Sequence, residues 1–136
     1  HIFKRVIAVE WDDWNLEQAN SNNSDRNNVE FVKMDLYNDK WEDHLPKDVD
    51  VVFIDAGHEY YQVKMDIENS FKRFGDPIFI FDDYGFPPGE VKQAIHEKVN
   101  DGDLVIDKFI GEKPEDLVHA SGTKFFDMEG VICNVK

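Results

Sequence analysis

Two short apolar segments of the chain each end in acidic residues. The first is followed by Asp55 and, three residues later, by His58, and the second is followed directly by Asp82 and Asp83. Segments that are apolar at every position are typical of strands in a parallel sheet that is covered on both faces. Ligands of such sheets bind beyond the carboxyl ends of the strands. If the two strands are neighbours, three carboxylates and an imidazole meet there, and they repel and lose hydration unless a cation binds among them.

This acidic cluster predicts a divalent metal site. Asp55, Asp82 and Asp83 offer hard oxygen ligands, which suit Mg²⁺ better than Zn²⁺. A bound Mg²⁺ would hold substrate oxygens and lower the pKa of a hydroxyl that reacts. His58 is then the candidate general base, since imidazoles ordinarily titrate near neutral pH. Two simpler interpretations stay open: Asp82 and Asp83 are turn formers before Gly85, and His58 is an ordinary surface residue.

The composition predicts a single globular domain over residues 1–136. Hydrophobic residues make up 41% of the chain, and 15 Lys plus Arg stand against 29 Asp plus Glu, a formal net charge of -14. Such acidity argues against nucleic acid or an anionic membrane as the main partner. The single cysteine, Cys133, excludes a disulfide framework within the chain, so a reducing compartment is expected. With neither a signal peptide nor a membrane-spanning segment recognised, we expect a cytoplasmic protein.

Strand and helix patterns alternate through the first two thirds of the chain. This order is typical of right-handed crossover units on a parallel sheet. The last two predicted strands have no helix between them, so we expect them to pair antiparallel as a hairpin. The predicted strands cover residues 5–10, 29–34, 49–54, 78–81, 104–110 and 131–135, and the predicted helices cover residues 13–19, 38–45, 59–74 and 91–99.

Four blocks of sequence are similar to one known family. They are residues 6–10 (VIAVE), residues 34–35 (MD), residues 53–60 (FIDAGHEY), and residues 81–85 (FDDYG) with the following 88–92 (PGEVK). In these blocks the chain resembles class I S-adenosylmethionine-dependent methyltransferases. The likeness is greatest to the small metal-dependent O-methyltransferases of the macrocin and other sugar type, and looser to catechol O-methyltransferases. It covers nearly the whole chain, from the second strand of that fold to the seventh.

The resemblance implies a Rossmann-like α/β fold, with a mostly parallel sheet flanked by helices and an antiparallel C-terminal strand. The family's first strand and its glycine-rich cofactor loop would lie upstream of His1, and no Gly-x-Gly occurs in the chain. The chain also lacks an initiator methionine and enters a strand almost at once. We therefore expect a sheet that lacks its first strand because an N-terminal segment is absent. A degenerate relative without the cofactor loop is the alternative.

The resemblance also implies which residues hold S-adenosylmethionine. Glu10 falls where the family places an acid that accepts hydrogen bonds from both ribose hydroxyls, and Trp11 would pack on the adenosine. Asp35, with Leu36 beside it, falls where the adenine amino group is bound, and Asp55 completes the implied cofactor set. Two alternatives remain, in which Glu10 is a solvated acid and Asp35 caps the short helix that follows it.

The implied activity is methyl transfer from S-adenosylmethionine to a hydroxyl of a small molecule or sugar. Asp55, Asp82 and Asp83 would bind Mg²⁺, and His58 would remove the proton; this chain alone is expected to be inactive without the glycine-rich loop. The expected partner is the small-molecule acceptor, with no nucleic acid and no membrane, and a homo-oligomer is left open. Two rival functions are a non-catalytic methyltransferase-like scaffold or subunit and another metal-dependent α/β hydrolase. The tyrosines are candidates for the acceptor pocket or for the core and rim: Tyr60, Tyr61 and Tyr84.

Overall fold

The computed structural model describes residues 2–111, 118 and 121–136 of the chain. The predicted order of strands and helices is confirmed, and the chain divides into two compact units, His1–Leu45 and Pro46–Lys136. The expectation of a single domain stays a prediction. The elements are β1 (Val6–Glu10), α1 (Asp13–Asn22), β2 (Val29–Lys33), α2 (Trp41–His44), β3 (Val51–Ile54), α3 (Tyr60–Phe74), β4 (Ile78–Phe81), α4 (Glu90–Asp101), β5 (Leu104–Ile110) and β6 (Gly130–Val135).

The first unit is built on a parallel pair of strands. β1 and β2 pair along their whole length, so that Glu10 lies opposite Lys33 at the carboxyl ends. The connection between them is α1, whose first turn is capped by Asp12, because Oδ1 of Asp12 accepts a hydrogen bond from the Asn15 amide at 2.9 Å. The parallel pairing puts Glu10 and the loop that contains Asp35 at the same edge of this pair.

The second unit contains a four-stranded sheet in the order β3-β4-β6-β5. β3 and β4 are parallel, as the intervening helix α3 requires. β6 runs antiparallel to both of its neighbours, which confirms the predicted hairpin of the last two strands and the predicted antiparallel C-terminal strand. The register of β5 shifts between Ile106 and Lys108, where Asp107 is the additional residue of a bulge.

Helices α3 and α4 pack on one face of this sheet and bury an apolar core. α3 begins with a capping box, in which Glu59 and Gln62 each accept a backbone amide hydrogen of the other. α4 ends at Gly102, whose left-handed backbone (φ 84°) suits glycine. The core consists of side chains from the sheet, the two helices and the loop after β4: Ile54, Val63, Ile67, Phe79, Phe81, Tyr84, Val91, Ala94, Ile95, Leu104, Val131 and Cys133.

Cys133 is a structural residue of this core. It is fully buried, and burial raises the pKa of its thiol to about 12. A thiol that stays protonated is a poor nucleophile and a poor metal ligand, so Cys133 acts as a small apolar side chain.

None of the helices in the described part of the chain is both long and apolar enough to cross a membrane.

The close contact between β4 and β6 at Gly130 generates the first prediction. A Cβ atom at Gly130 would lie 2.6 Å from the backbone oxygen of Phe81, so Gly130→Ala must push the two strands apart. We expect it to lower the free energy of unfolding by about 2 kcal/mol. The control is Gly122→Ala, where φ is 85° but no atom lies within 4 Å, and which should cost about 1 kcal/mol for the backbone strain alone. Urea unfolding of both variants measures the difference, and equal losses would contradict the predicted strand clash.

Candidate functional site

The candidate site lies at the carboxyl ends of β3 and β4. These strands pair with Ile54 opposite Phe81, the last residue of each strand. The pairing continues one step further, because the Asp82 amide donates a hydrogen bond to the Ile54 carbonyl at 3.1 Å. Asp55 and Asp82 therefore leave the sheet side by side.

The three predicted metal ligands meet at this edge. Asp55, Asp82 and Asp83 each offer a carboxylate oxygen, and these oxygens lie within 4.8 Å of one another. Asp83 has a positive φ of 53°, an uncommon backbone for a residue other than glycine, and its side chain is only 13% exposed. The convergence expected from the sequence is present, and metal binding by the cluster stays a prediction.

Electrostatics within the cluster fit a bound cation. Burial raises the pKa of Asp55, and the charges of Asp82 and Asp83 raise it further, while His58 opposes the shift. The ionised form of Asp55 is therefore less favourable in the folded protein than in water. Asp55, Asp82 and Asp83 all present oxygen atoms, and the part of the chain that the structure describes adds no thiolate to them, so the donor set suits Mg²⁺.

His58 is joined to this cluster by a close contact with Asp83. Its Nδ1 lies 2.9 Å from Oδ2 of Asp83, and its side chain is 47% exposed. A carboxylate only accepts hydrogen bonds, so the proton of the imidazole lies on Nδ1 and the lone pair lies on Nε2. His58 is thus an oriented histidine with an available proton acceptor, rather than an isolated surface residue.

A pocket of about 340 Å³ opens beside His58. A hydrogen bond joins the first residues of α3 and α4 beside the pocket, since the Tyr60 amide donates to Oε2 of Glu90 at 2.7 Å. The pocket combines apolar and polar side chains, and its lining residues are Gly57, His58, Glu59, Gln62, Phe86, Pro87, Pro88, Glu90 and Val91. Sequence reasoning identified only His58 among them. The missed residues lie in the loops after β3 and β4 and in the first turns of α3 and α4. Their position directly after the two strands is the signal that could have found them.

The tyrosines proposed for an acceptor pocket lie elsewhere. Tyr84 is buried in the core, and its hydroxyl is 2.8 Å from Nε2 of His96. Tyr60 donates its hydroxyl hydrogen to Glu97, and Tyr61 is exposed. The core and rim interpretation of these residues is therefore the one that the structure supports.

The chain segment before β6 holds the loop that carries Asp82 and Asp83. The Tyr84 amide donates to the Glu129 carbonyl at 2.9 Å, and the Phe126 amide donates to the Gly85 carbonyl at 2.8 Å. A Cβ atom at Gly85 would lie 2.3 Å from the backbone oxygen of Asp127, so only glycine allows this approach. An ion pair between Lys92 and Asp127 joins the same segment to α4 and lowers the pKa of the Asp127 carboxyl.

Glu10, the predicted ribose ligand, ends β1 in the first unit. Its Oε1 accepts hydrogen bonds from the amides of Trp11 at 2.9 Å and Asp12 at 3.0 Å. These contacts fix the direction of the carboxylate and leave its second oxygen for another donor. Trp11 is 70% exposed, so its indole face is available for stacking. The cofactor roles of both residues stay predictions.

Asp35 has the contacts of a turn-capping residue. Its Oδ1 accepts from the amides of Tyr37 at 2.9 Å and Asn38 at 3.2 Å, and its Oδ2 accepts from Nδ2 of Asn38 at 2.8 Å. The Asn38 side chain contributes most to the lowered pKa of Asp35, and the Tyr37 amide contributes next. The carbonyl of the neighbouring Leu36 accepts a hydrogen bond from Trp41. Asp35 thus caps a turn, whereas the short helix α2 begins at Trp41 with Lys40 as its N-cap, so the expected helix cap at Asp35 is not formed. The adenine-binding role stays a prediction.

Comparison with protein families identifies the fold. A family model described as a methyltransferase domain matches residues 3–84, which is more than half of the chain. The chain belongs to this methyltransferase family. Its fold is that of class I S-adenosylmethionine-dependent methyltransferases, as the resemblance in its sequence implied. No curated protein sequence matches the methyltransferase significantly.

Solved structures share the fold of this methyltransferase. A fibrillarin/Nop5p complex is 19% identical, with 96% of this chain and 60% of that chain covered, at a TM-score of 0.61. An rRNA methylase from Streptococcus thermophilus is 16% identical, with 97% of this chain and 74% of that chain covered, at a TM-score of 0.57. An O-methyltransferase from Bacillus cereus in complex with SAH is 17% identical, with 97% of this chain and 63% of that chain covered, at a TM-score of 0.62. The chain thus spans about three fifths of the fibrillarin and O-methyltransferase chains that it matches.

The expectation that nucleic acid is not a partner is wrong. The same fold occurs in an rRNA methylase, and fibrillarin with this fold forms a complex with Nop5p. The expectation rested on the net charge of -14, which is a sum over the whole chain. Substrate recognition depends on the local surface of a site and on any partner protein, so total charge does not exclude an RNA substrate.

Repulsion within the acidic cluster generates the second prediction. A raised pKa in the folded state means that Asp55 favours folding below its unfolded pKa, and this stabilisation is lost as pH rises through the folded pKa. In chelator at pH 7, Asp55→Asn should therefore raise the Tm, by about 1–3 °C after allowance for solvent screening. The gain should shrink toward pH 4. Thermal unfolding is the measurement, with the exposed Asp76→Asn as control, and an equal change in both variants would contradict the predicted repulsion.

Proposed function

We propose that this methyltransferase transfers a methyl group from S-adenosylmethionine to a hydroxyl oxygen of a small molecule or sugar, with Mg²⁺ bound at the acidic cluster. The observation that carries the proposal is the 2.9 Å contact between Nδ1 of His58 and Oδ2 of Asp83, one of the three clustered carboxylates. It joins a proton acceptor to a set of cation ligands, a combination suited to methylation of a weakly acidic hydroxyl.

The residues of this chain have distinct roles in the proposed reaction. Asp55, Asp82 and Asp83 would hold Mg²⁺, which when bound orients acceptor oxygens and stabilises negative charge on the reacting oxygen. S-adenosylmethionine supplies a methyl group bonded to a cationic sulfur. His58 accepts the hydroxyl proton on Nε2 as the oxygen–methyl bond forms and the sulfur–methyl bond breaks. Asp83 keeps the imidazole oriented and stabilises the imidazolium that results.

The fixed carboxylate of Glu10 supports the proposed cofactor site in the first unit. Two backbone amides hold Oε1, so the carboxylate is oriented before any ligand binds. A vicinal diol such as a ribose needs two acceptor positions, and a carboxylate offers them. The ordering cost of binding is reduced when the acceptor is already held.

The third prediction tests Glu10. In full-length protein, Glu10→Ala should weaken S-adenosylmethionine binding by about 1–3 kcal/mol, because a charged hydrogen-bond acceptor is lost. Isothermal calorimetry measures the affinity, with Glu17→Ala on the exposed surface of α1 as the matched control. An unchanged affinity in Glu10→Ala would remove Glu10 from the cofactor site.

The fourth prediction tests the metal and the base separately. Mg²⁺ should raise the Tm of the full-length protein, and chelator should reverse the rise, because an ion that binds only the folded state stabilises it. Asp82→Asn should abolish this rise and most activity while leaving the pair between His58 and Asp83 intact. His58→Ala should keep the rise and lower turnover by about 10²–10⁴-fold. Its residual activity should increase at higher pH, where more of the acceptor hydroxyl ionises unaided.

The controls for this prediction separate a mechanistic loss from unfolding. His44→Ala, at the exposed end of α2, should change neither the Mg²⁺-dependent Tm nor the turnover. Methyl transfer that proceeds equally well in chelator would refute the metal mechanism and would leave Asp82 and Asp83 as turn residues.

A further inference from the structure

We propose that the pocket beside His58 is an acceptor subsite for a single hydroxyl-bearing ring, with Phe86 as its stacking face and Gln62 as a specificity-determining donor. This inference rests on the proposed function, since the pocket is assigned to the acceptor because it adjoins His58, the proposed general base. The acidic cluster would hold only the oxygens at the reacting centre, so recognition of the rest of the acceptor falls to other side chains.

The size of the pocket limits what it can hold. Its volume of about 340 Å³ is near the lower end of the range for small-molecule sites, about 300–1,000 Å³. Since an apolar cavity of about 150 Å³ already holds benzene, this volume accommodates one ring together with its substituents.

One wall of the pocket is an aromatic ring held in a defined orientation. Phe86 packs edge-to-face on the buried Phe125, with ring centroids 5.6 Å apart. The imidazole of His58 is 6.2 Å from the Phe86 ring and inclined by 45° to it. Pro87, Pro88 and Val91 extend the apolar surface around Phe86. A flat ring that stacks on this wall would lie next to the proposed base.

The polar groups of the pocket come from the first residues of α3 and α4. Oε1 of Gln62 accepts a hydrogen bond from the Glu59 amide at 3.4 Å, and Oε2 of Glu90 accepts one from the Tyr60 amide at 2.7 Å. Among the described residues, the Gln62 amide hydrogens and Oε1 of Glu90 have no such partner. The pocket thus offers one donor group and one acceptor, which is the complement of a ring hydroxyl that both accepts and donates.

Two kinds of acceptor carry a ring hydroxyl that fits such a pocket. A free glycoside or phenol presents a hydroxyl-bearing ring, and so does the ribose of an RNA chain. In either case the proton leaves the reacting hydroxyl for Nε2 of His58, and the methyl group leaves the sulfur of S-adenosylmethionine for the oxygen. The experiment therefore uses three probes: methyl β-D-glucoside, catechol and a short single-stranded RNA.

Two variants of the full-length protein test the pocket without disturbing its helices. Phe86→Leu removes the aromatic face but keeps an apolar side chain. Gln62→Glu keeps an oxygen that can cap α3, as glutamate ordinarily does in a capping box, but removes the donor. Phe126→Leu is the matched control, because the Phe126 side chain is 73% exposed and does not line the pocket, and the hydrogen bond of Phe126 to Gly85 comes from its backbone amide.

Saturation-transfer NMR measures binding of each probe, and transfer of a labelled methyl group measures turnover with S-adenosylmethionine and Mg²⁺. We expect at least one probe to bind, with its Kd raised about three- to tenfold by Phe86→Leu and by Gln62→Glu and unchanged by Phe126→Leu. The KM should rise in parallel while kcat changes little, since uniform binding is lost. Whether the glucoside, catechol or RNA responds identifies the source of the ring.

Failure of the pocket and failure of the proposed function give different results. Methyl transfer with no bound ring probe, or with equal Kd values in all variants, would overturn the acceptor subsite and leave the methyltransferase mechanism standing. Ring binding that is weakened by both variants, without any methyl transfer, would support the subsite and overturn the proposed function.

Discussion

Strands β3 and β4 pair in parallel with Ile54 opposite Phe81, and this pairing determines which residues meet at the sheet edge. Each strand is four residues long, so a shift of one residue would turn every side chain to the other face and separate Asp55 from Asp82. The buried residues Phe79 and Phe81 prevent such a shift, because they alternate into the core beneath α3 and α4. The geometry of the acidic cluster is thus set by apolar packing and not by the acids themselves.

The cluster works against the stability of the unit that carries it. Three carboxylates are held within 4.8 Å, and Asp83 has a left-handed backbone. The contacts that oppose this strain come from outside the two strands: the backbone hydrogen bonds of the segment before β6 and the pair between Lys92 and Asp127. Strain that is maintained by surrounding structure is typical of sites that bind ligands.

Local patterns in the sequence were sufficient for much of the fold and for the acidic cluster. Each successful prediction used a pattern of residues that are close together in the sequence. These patterns are the apolar segments 51–54 and 78–81, the helical spacing after Glu59 and the lack of a helical pattern before the last strand. The shape of the pocket could not be predicted in this way. Phe86 owes its orientation to Phe125, and Glu90 reaches the amide of Tyr60, so both depend on contacts between distant parts of the chain. The wrong exclusion of nucleic acid has a related cause, since net charge says nothing about where charges lie.

The bulge in β5 has a consequence for how the molecule behaves at high concentration. β5 is an edge strand of its sheet, and the side chains of Val105, Phe109 and Ile110 are partly exposed along it. A long, regular apolar edge of this kind is a template for strand addition by another chain, and hence for aggregation. The register shift at Asp107 interrupts that template and adds a carboxylate beside the ammonium of Lys108. Charge and irregular backbone at this edge therefore favour a chain that stays dispersed while its apolar strand remains exposed.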